Sequence, residues 1–306
     1  METNSLRSPS VLAAVQPAIE KTKRMLFEPF DLGKWFAIGF CVWLAELGRG
    51  GGGGLNLLSR MCDGRSMHGC GSSIIASIGF LGIGLLAVGA MIGLTVWVVM
   101  LWLSSRGQFM FVNCVAKNEA KVKEPWTRFK GAANNLFVFR LLITIGGFIL
   151  VSAGVVAFLF GSGFLGGSAY PQMAIARILV FAGVFFVVIL LSIGFLILMK
   201  FIKDFVVAIM YLQNISPVAA LGQLWRVILI HKGAFTLYIL FQILINLAIG
   251  AIIITAVLLT CCCAGVLIAI PYIGTVILLP LTVFKRAYSL VFLAQLGDEY
   301  DVFKSV

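Results

Sequence analysis

A chain of 306 residues that is 61% hydrophobic and 11% charged, with a mean hydropathy of +1.07, cannot clothe itself in a solvated surface, because soluble domains carry about 25% charged residues. These proportions exclude one or two soluble domains and point to an integral membrane protein. The net charge of +11 is then read as loops facing anionic lipid rather than as nucleic-acid binding.

Residues 1–30 lack an unbroken apolar core followed by a small-residue cleavage site, so no cleavable signal peptide is expected. Residues 11–30 place Val11, Val15, Ile19, Thr22 and Leu26 on one helical stripe, with Gln16, Glu20, Lys21, Lys23 and Arg24 mostly elsewhere. That pattern predicts an interfacial amphipathic helix, with Pro17 at a kink or at its start. A first span follows at 32–47, short for a bilayer core of about 30 Å. The stretch "GRGGGGGLNLLSRMCDGRSMHGCG" (48–71) reads as a loop. Uncharged spans are expected within 74–103, 141–160 and 178–199, and the uncharged run from Ala234 to Phe284 is long enough for two. Six spans result.

Of the 23 Lys and Arg residues, only Arg49, Arg60, Arg65 and Arg177 fall on loops 1–2, 3–4 and 5–6. The other 19 lie on the N-terminal segment, on the loops after spans two and four, at the C-terminus, or at adjoining helix ends. The positive-inside rule therefore expects both termini in the cytoplasm.

Three segments align without a gap: "KTKRMLFEPFDLGKWF", "PWTRFKGAANNLFVFR" and "QLWRVILIHKGAFTLY". Arg24, Arg128 and Arg226 share a column, as do Trp35, Phe139 and Leu237. The span endings echo one another too: "RGQFMFVNCVAKNE" from Arg106, "KDFVVAIMYLQNIS" from Lys203 and "RAYSLVFLAQLGDE" from Arg286. Three degenerate repeats are read, at 11–116, 117–214 and 215–300, each an interfacial helix, a span, an outer loop and a span. On "LFEPFDLGKWFAIGF", "SRGQFMFVNCVAKNEA" and "KDFVVAIMYLQN", the chain resembles uncharacterised bacterial six-span membrane proteins. More distantly it is similar to the membrane domain attached to some glycerophosphodiester phosphodiesterases, and to Yip1-type membrane proteins. The resemblance implies a membrane module without known chemistry. The soluble phosphodiesterase domain is absent, so that activity does not carry over.

Candidate chemistry is sparse. "GSGFLGG" has dinucleotide-fingerprint spacing at Gly161, Gly163 and Gly166, but it closes a membrane span and reads as a turn. Cys62, His68 and Cys70 are one ligand short of a structural metal site, and Asp63 is a poor fourth. A Cys62–Cys70 disulfide would suit an oxidising compartment, with free thiols as the alternative. Cys261, Cys262 and Cys263 are read as packing residues. Glu46, Arg140, Lys203 and Asp204 sit at predicted interfaces, where snorkelling is cheap. Gln242 and Asn246 lie deeper, one turn apart, where interhelical hydrogen bonding is the commoner use and substrate contact the rarer one. Gly89 and Gly93 form a GxxxG pair suited to close helix packing. No acid–base pair or nucleophile with a His partner is evident.

The expected fold class is all-α: a polytopic membrane helix bundle of about six spans with cytoplasmic interfacial helices. The expected role is a non-enzymatic bacterial inner-membrane protein. Its basic collar, including Arg24, Arg128 and Arg226, would bind anionic membrane lipid or scaffold a membrane-protein partner or a second copy. No metal, cofactor or nucleic acid is expected. The alternative is a small transporter or channel for a solute or lipid.

Overall fold

The computed structural model describes residues 9–47, 72–119, 123–161, 172–260 and 265–304, apart from 266 and 269. Its described residues form helices joined by short turns, with no strand among them.

α1 (Val15–Leu26) holds Pro17 in its first turn, where the missing N–H costs nothing. Its buried face is Ala14, Ala18, Thr22, Met25 and Leu26, with Val11 just ahead. This corrects the expected stripe, because Ile19 is 53% exposed. Apolar periodicity shows which residues bury together but not what covers them. Here the cover is protein. The face lies against the C-terminal helix, where the Tyr288 hydroxyl donates to Val11 O (3.3 Å) and Ser10 N–H donates to Gln295 Oε1 (2.7 Å). At the far end of α1, Trp35 Nε1 donates to Leu26 O (2.7 Å), and the rings of Phe27 and Phe30 stand edge-on to Trp35.

Asp31 caps α2 (Leu32–Glu46) through Gly33 N–H at 2.8 Å. At 15 residues α2 runs about 22 Å, short of a bilayer core. It packs along the C-terminal part of α3 (Ser72–Lys117), an unbroken helix of 46 residues. A Cβ on Gly107 would sit 2.5 Å from Ala45 N, so glycine permits the backbones to approach here. The expected close-packing pair, Gly89 and Gly93, faces open space instead.

The chain continues through α4 (Lys123–Arg128), α5 (Lys130–Gly161) and α6 (Gln172–Phe201). Gly147 and Gly154 of α5 lie against Phe195 and Val188 of α6. A π-helical turn (Ile202–Val206) joins α6 to α7 (Val207–Gln213), which ends at Asn214 in the left-handed region (φ 52°). Ser216 caps α8 (Pro217–Ile230), with Pro217 at the first helical position. α9 (Lys232–Leu259) follows, then α10 (Pro271–Ile277) and α11 (Leu279–Ala294), split at Leu278.

Among the described residues four helices are long and apolar enough to cross a membrane: Val88–Lys117, Lys130–Val156, Ala182–Gln213 and Lys232–Leu259. Neither α2 nor the α10–α11 pair is among them. All four change character along their length. In α3 residues 88–99 are largely exposed, whereas Ser104 to Val115 are buried. α5 buries Ala133 and Leu136 but leaves Phe148 74% exposed. The α6–α7 rod exposes Leu196 at 66% and buries Ile202 and Phe205 to Met210. α9 buries Phe235, Tyr238 and Gln242, then exposes Leu247 at 69%. One end of the molecule is thus a packed core, completed by α1, α2 and α11. The other is a set of helices with bare apolar surfaces.

Candidate functional site: a charged belt at the edge of the packed core

Where packed core meets bare helix, each long helix contributes polar or charged groups. α3 brings Ser104, Ser105, Arg106 and Gln108, and α5 brings Arg140. The α6–α7 rod brings Lys200, Lys203 and Asp204. α9 brings Gln242, and α2 and α11 add Glu46 and Arg286.

Two ion pairs anchor this belt. Lys203 Nζ pairs with a Glu46 carboxylate oxygen, joining the π-turn to the end of α2. One turn earlier Lys200 Nζ lies 3.3 Å from Asp204 Oδ2 and 3.3 Å from Gln242 Oε1. Asp204 also accepts from the Tyr238 hydroxyl (3.2 Å), which in turn accepts from Gln242 Nε2 (3.1 Å). The π-turn matters to this layout. A π-turn admits one more residue than an α-turn and so re-aims the side chains around it. Here Lys203 is directed to α2 and Asp204 to α9.

Two arginines complete the belt. Arg140 donates to Ser104 Oγ (3.4 Å) and Ser105 Oγ (3.3 Å), with Glu46 acting on its charge. Arg286 is 3% exposed. Its Nη1 donates to the carbonyl of Lys203 at 2.5 Å, and Glu46 and Asp204 are its nearby counter-charges. Its Nε and Nη2 meet no acceptor. Ser104 and Gln108 both donate to Ala45 O at 2.8 Å, closing the end of α2 against α3. Arg106 is held separately, its guanidinium 4.4 and 4.9 Å from the ring centres of Trp102 and Trp126.

The residues singled out from sequence are distributed unevenly across this site. Gln242 is 2% exposed and belongs to the belt. Asn246 Nδ2 donates to Gln242 O one turn back (2.7 Å), and its Oδ1 accepts from Lys285 Nζ (2.5 Å). The collar arginines lie outside the belt. Arg24 pairs with Glu20 at 2.5 Å and both are exposed; Arg128 lies 5.5 Å from the Phe129 ring; Arg226 is exposed. Leu26, beside the first of them, is fully buried in protein and offers nothing to lipid. Cys62, Cys70 and Cys261–Cys263 lie outside the described residues. A different thiol pair emerges: Cys41 and Cys114, buried between α2 and α3, with sulfurs 3.7 Å apart. Among the described residues no three His, Cys, Asp or Glu side chains are grouped to hold a metal ion.

Taken singly, Glu46, Arg140, Lys203 and Asp204 are interfacial groups, and their spacing along the chain does not announce a cluster. One signal pointed to it: the aligned basic residues Arg106, Lys203 and Arg286 all turn out to lie at the edge of the packed core.

No curated protein and no solved structure matches the chain. The likeness to the phosphodiesterase-attached and Yip1-type membrane domains therefore rests on the quoted motifs alone. A family model does match, over residues 10–279, and so takes in all the residues of the belt except Arg286. By that match the chain belongs to DUF7544, a family of unknown function.

Proposed function

We propose that this is a non-enzymatic, multi-pass protein of the bacterial inner membrane that binds anionic lipid at its cytoplasmic side, with both termini cytoplasmic. The observation that carries the reading is the shared change of burial along the four long helices. From Arg140 to the end of α5 is about 32 Å, and from Gln242 to the end of α9 about 26 Å. Both are close to the roughly 30 Å of a bilayer core. The bare segments fit the hydrocarbon, and the charged belt then falls at its inner boundary, with the packed core and the exposed arginines on the cytoplasmic side. The six-crossing, three-repeat arrangement then needs one further passage between α2 and Val88 and one after Leu259, because α2 itself ends at the belt inside the packed core.

Reconstitution into vesicles of mixed phosphatidylglycerol and phosphatidylcholine tests the lipid role. After mild extraction, the co-purifying lipid shell should be enriched in phosphatidylglycerol. Each basic group near an anionic surface contributes about 1 kcal/mol. Replacing Arg24, Arg128 and Arg226 together with glutamine should reduce the enrichment, with Arg24 contributing least because Glu20 already holds it. An unchanged shell in a correctly inserted triple variant refutes the collar. Labelling of a single cysteine at position 120 from outside intact cells refutes the orientation.

The transporter reading draws on the polar chain Lys285–Asn246–Gln242–Tyr238–Asp204. Weighing against it, Phe205, Phe235, Tyr238, Tyr288 and Phe292 pack ring to ring below that chain and fill the space a hydrated path needs. Solute-independent, tight vesicles would agree with the binding reading.

A further inference from the structure

With Arg106 held apart over Trp102 and Trp126, the belt sets four cations, Arg140, Lys200, Lys203 and Arg286, against two carboxylates, Glu46 and Asp204. Each carboxylate is already engaged by a lysine. The surplus is two positive charges in a region only partly open to water, with Arg286 itself 3% exposed. Uncompensated buried charge is costly, and guanidinium cannot escape by losing its proton. Arg140 is met by neutral hydroxyls. Arg286 is met on one nitrogen by a backbone carbonyl, and its other two nitrogens meet nothing.

The identity of those two nitrogens is informative. Nε and Nη2 share one edge of the guanidinium plane. Their two N–H bonds run parallel and match the spacing of two oxygens on one carboxylate or phosphate, the side-on bidentate geometry. A random orphan would be a single atom. Here a whole recognition edge is vacant on a side chain that is 3% exposed, while its third nitrogen is fixed by Lys203 O.

We propose that this edge of Arg286 binds a phosphate-type anion, in a belt where cations outnumber carboxylates by two. The inference goes beyond the collar: it concerns one buried stoichiometric site, and it stands whether or not exposed arginines attract a lipid shell. The anion comes from one of two sources with the same chemistry, a phospholipid headgroup or free phosphate. The belt's place where bare helices end favours the headgroup.

The experiment uses the full chain in detergent, stripped of loosely held lipid. Native mass spectrometry counts what is retained while phosphatidylglycerol, phosphatidylcholine or inorganic phosphate is titrated in. A one-to-one, saturable complex is expected with phosphatidylglycerol. The R24Q/R128Q/R226Q variant should keep this complex even if it loses its lipid shell. Arg286→Lys preserves the charge but removes the paired edge, and should weaken the complex about tenfold, the loss of one charge-assisted hydrogen bond. Glu46→Gln removes a competing carboxylate and should tighten it by about as much. That variant decides the matter if Arg286→Lys does not fold. A one-to-one complex with inorganic phosphate and not with lipid, shifted the same way by these variants, supports the site and assigns it the free anion. The proposal is overturned if the unaltered protein forms no saturable complex with either probe, or if binding is unchanged in Glu46→Gln.

Discussion

Two stretches of α3 share one unbroken helix, yet their surroundings are opposite. Between Val88 and Val99 the side chains face outward, with Met91 70% exposed. From Ser104 to Val115 they are buried against α2, α5 and α7. The same contrast runs along α5, α6 and α9. The more apolar stretch is the exposed one, so apolar content does not mark the packed core. Small and polar residues do: Gly107, Ser104, Ser105 and Gln108 mark the packed end, because backbone approach and hydrogen bonding to a neighbour need them.

The largest test of that contrast compares two phenylalanines. Phe205 is fully buried, with ring centres of Tyr238, Phe235 and Phe292 at 5.0, 5.6 and 6.1 Å. Phe205→Ala should cost about 3–5 kcal/mol in thermal or denaturant unfolding in detergent. Phe148→Ala, at a site 74% exposed, should change stability by less than about 0.5 kcal/mol. Equal effects would mean that the two ends do not differ as described.

Glycines give the next contrast. In Gly107→Ala the new methyl meets the α2 backbone at Ala45 N (2.5 Å) and Leu44 C (2.6 Å), neither of which can swing aside. A loss of about 1–3 kcal/mol is expected. Gly89→Ala and Gly93→Ala meet nothing within 4 Å, and should be neutral or stabilising by up to about 1 kcal/mol through helix propensity. A loss of dimer or fold in the Gly89 variant would restore the GxxxG reading.

At the belt, Glu46→Gln leaves Lys203 facing an amide. Removing one partner of a fully buried pair costs about 3–5 kcal/mol. These side chains keep 28% and 22% of their exposure, so about 1–2 kcal/mol is expected. The Glu20–Arg24 pair, with side chains 57% and 68% exposed, should show a few tenths at most when Glu20 becomes Gln. If the two losses are alike, the belt is as wet as the surface.

Much of this was legible in the sequence, but unevenly. The uncharged runs at 141–160 and 178–199 lie within α5 and α6, because about 20 apolar residues without charge have few other fates. The end of α3 was harder. The uncharged run stops before Arg106, while the helix continues to Lys117, since a charge ends a hydropathy window without ending a helix. α2 is apolar enough for a span but at 15 residues short of one, and apolar composition alone does not say whether protein or lipid covers it. The belt was hidden for a different reason. Its members lie at positions 46, 140, 200–204 and 286, each alone at the rim of an apolar run. Only the packing of six helices makes them neighbours.

The smallest expected effect lies at the opposite edge of the packed core, where the C-terminal segment closes over α1. Lys21 Nζ sits 2.8 Å from the centre of the Phe303 ring. Burial lowers its pKa below the ordinary 10.5, outweighing Asp301, which raises it, while Arg24 adds to the lowering. The sign of the pH dependence follows. Well below the folded-state value both folded and unfolded chains carry the proton, so stability does not vary with pH through this group. Between the folded-state value and 10.5 the native protein has released its proton and the unfolded chain has not. The unfolded state then binds more protons, and stability rises with pH across that alkaline window. Lys21→Met keeps the apolar stem against Phe303 and removes the titration, so the alkaline rise should vanish while stability at neutral pH is held or slightly raised. Unfolding curves of the two proteins between neutral pH and 10.5 would show it. A native protein that instead loses stability relative to Lys21→Met as pH rises would mean that Asp301 and the ring hold the ammonium more strongly than burial repels it.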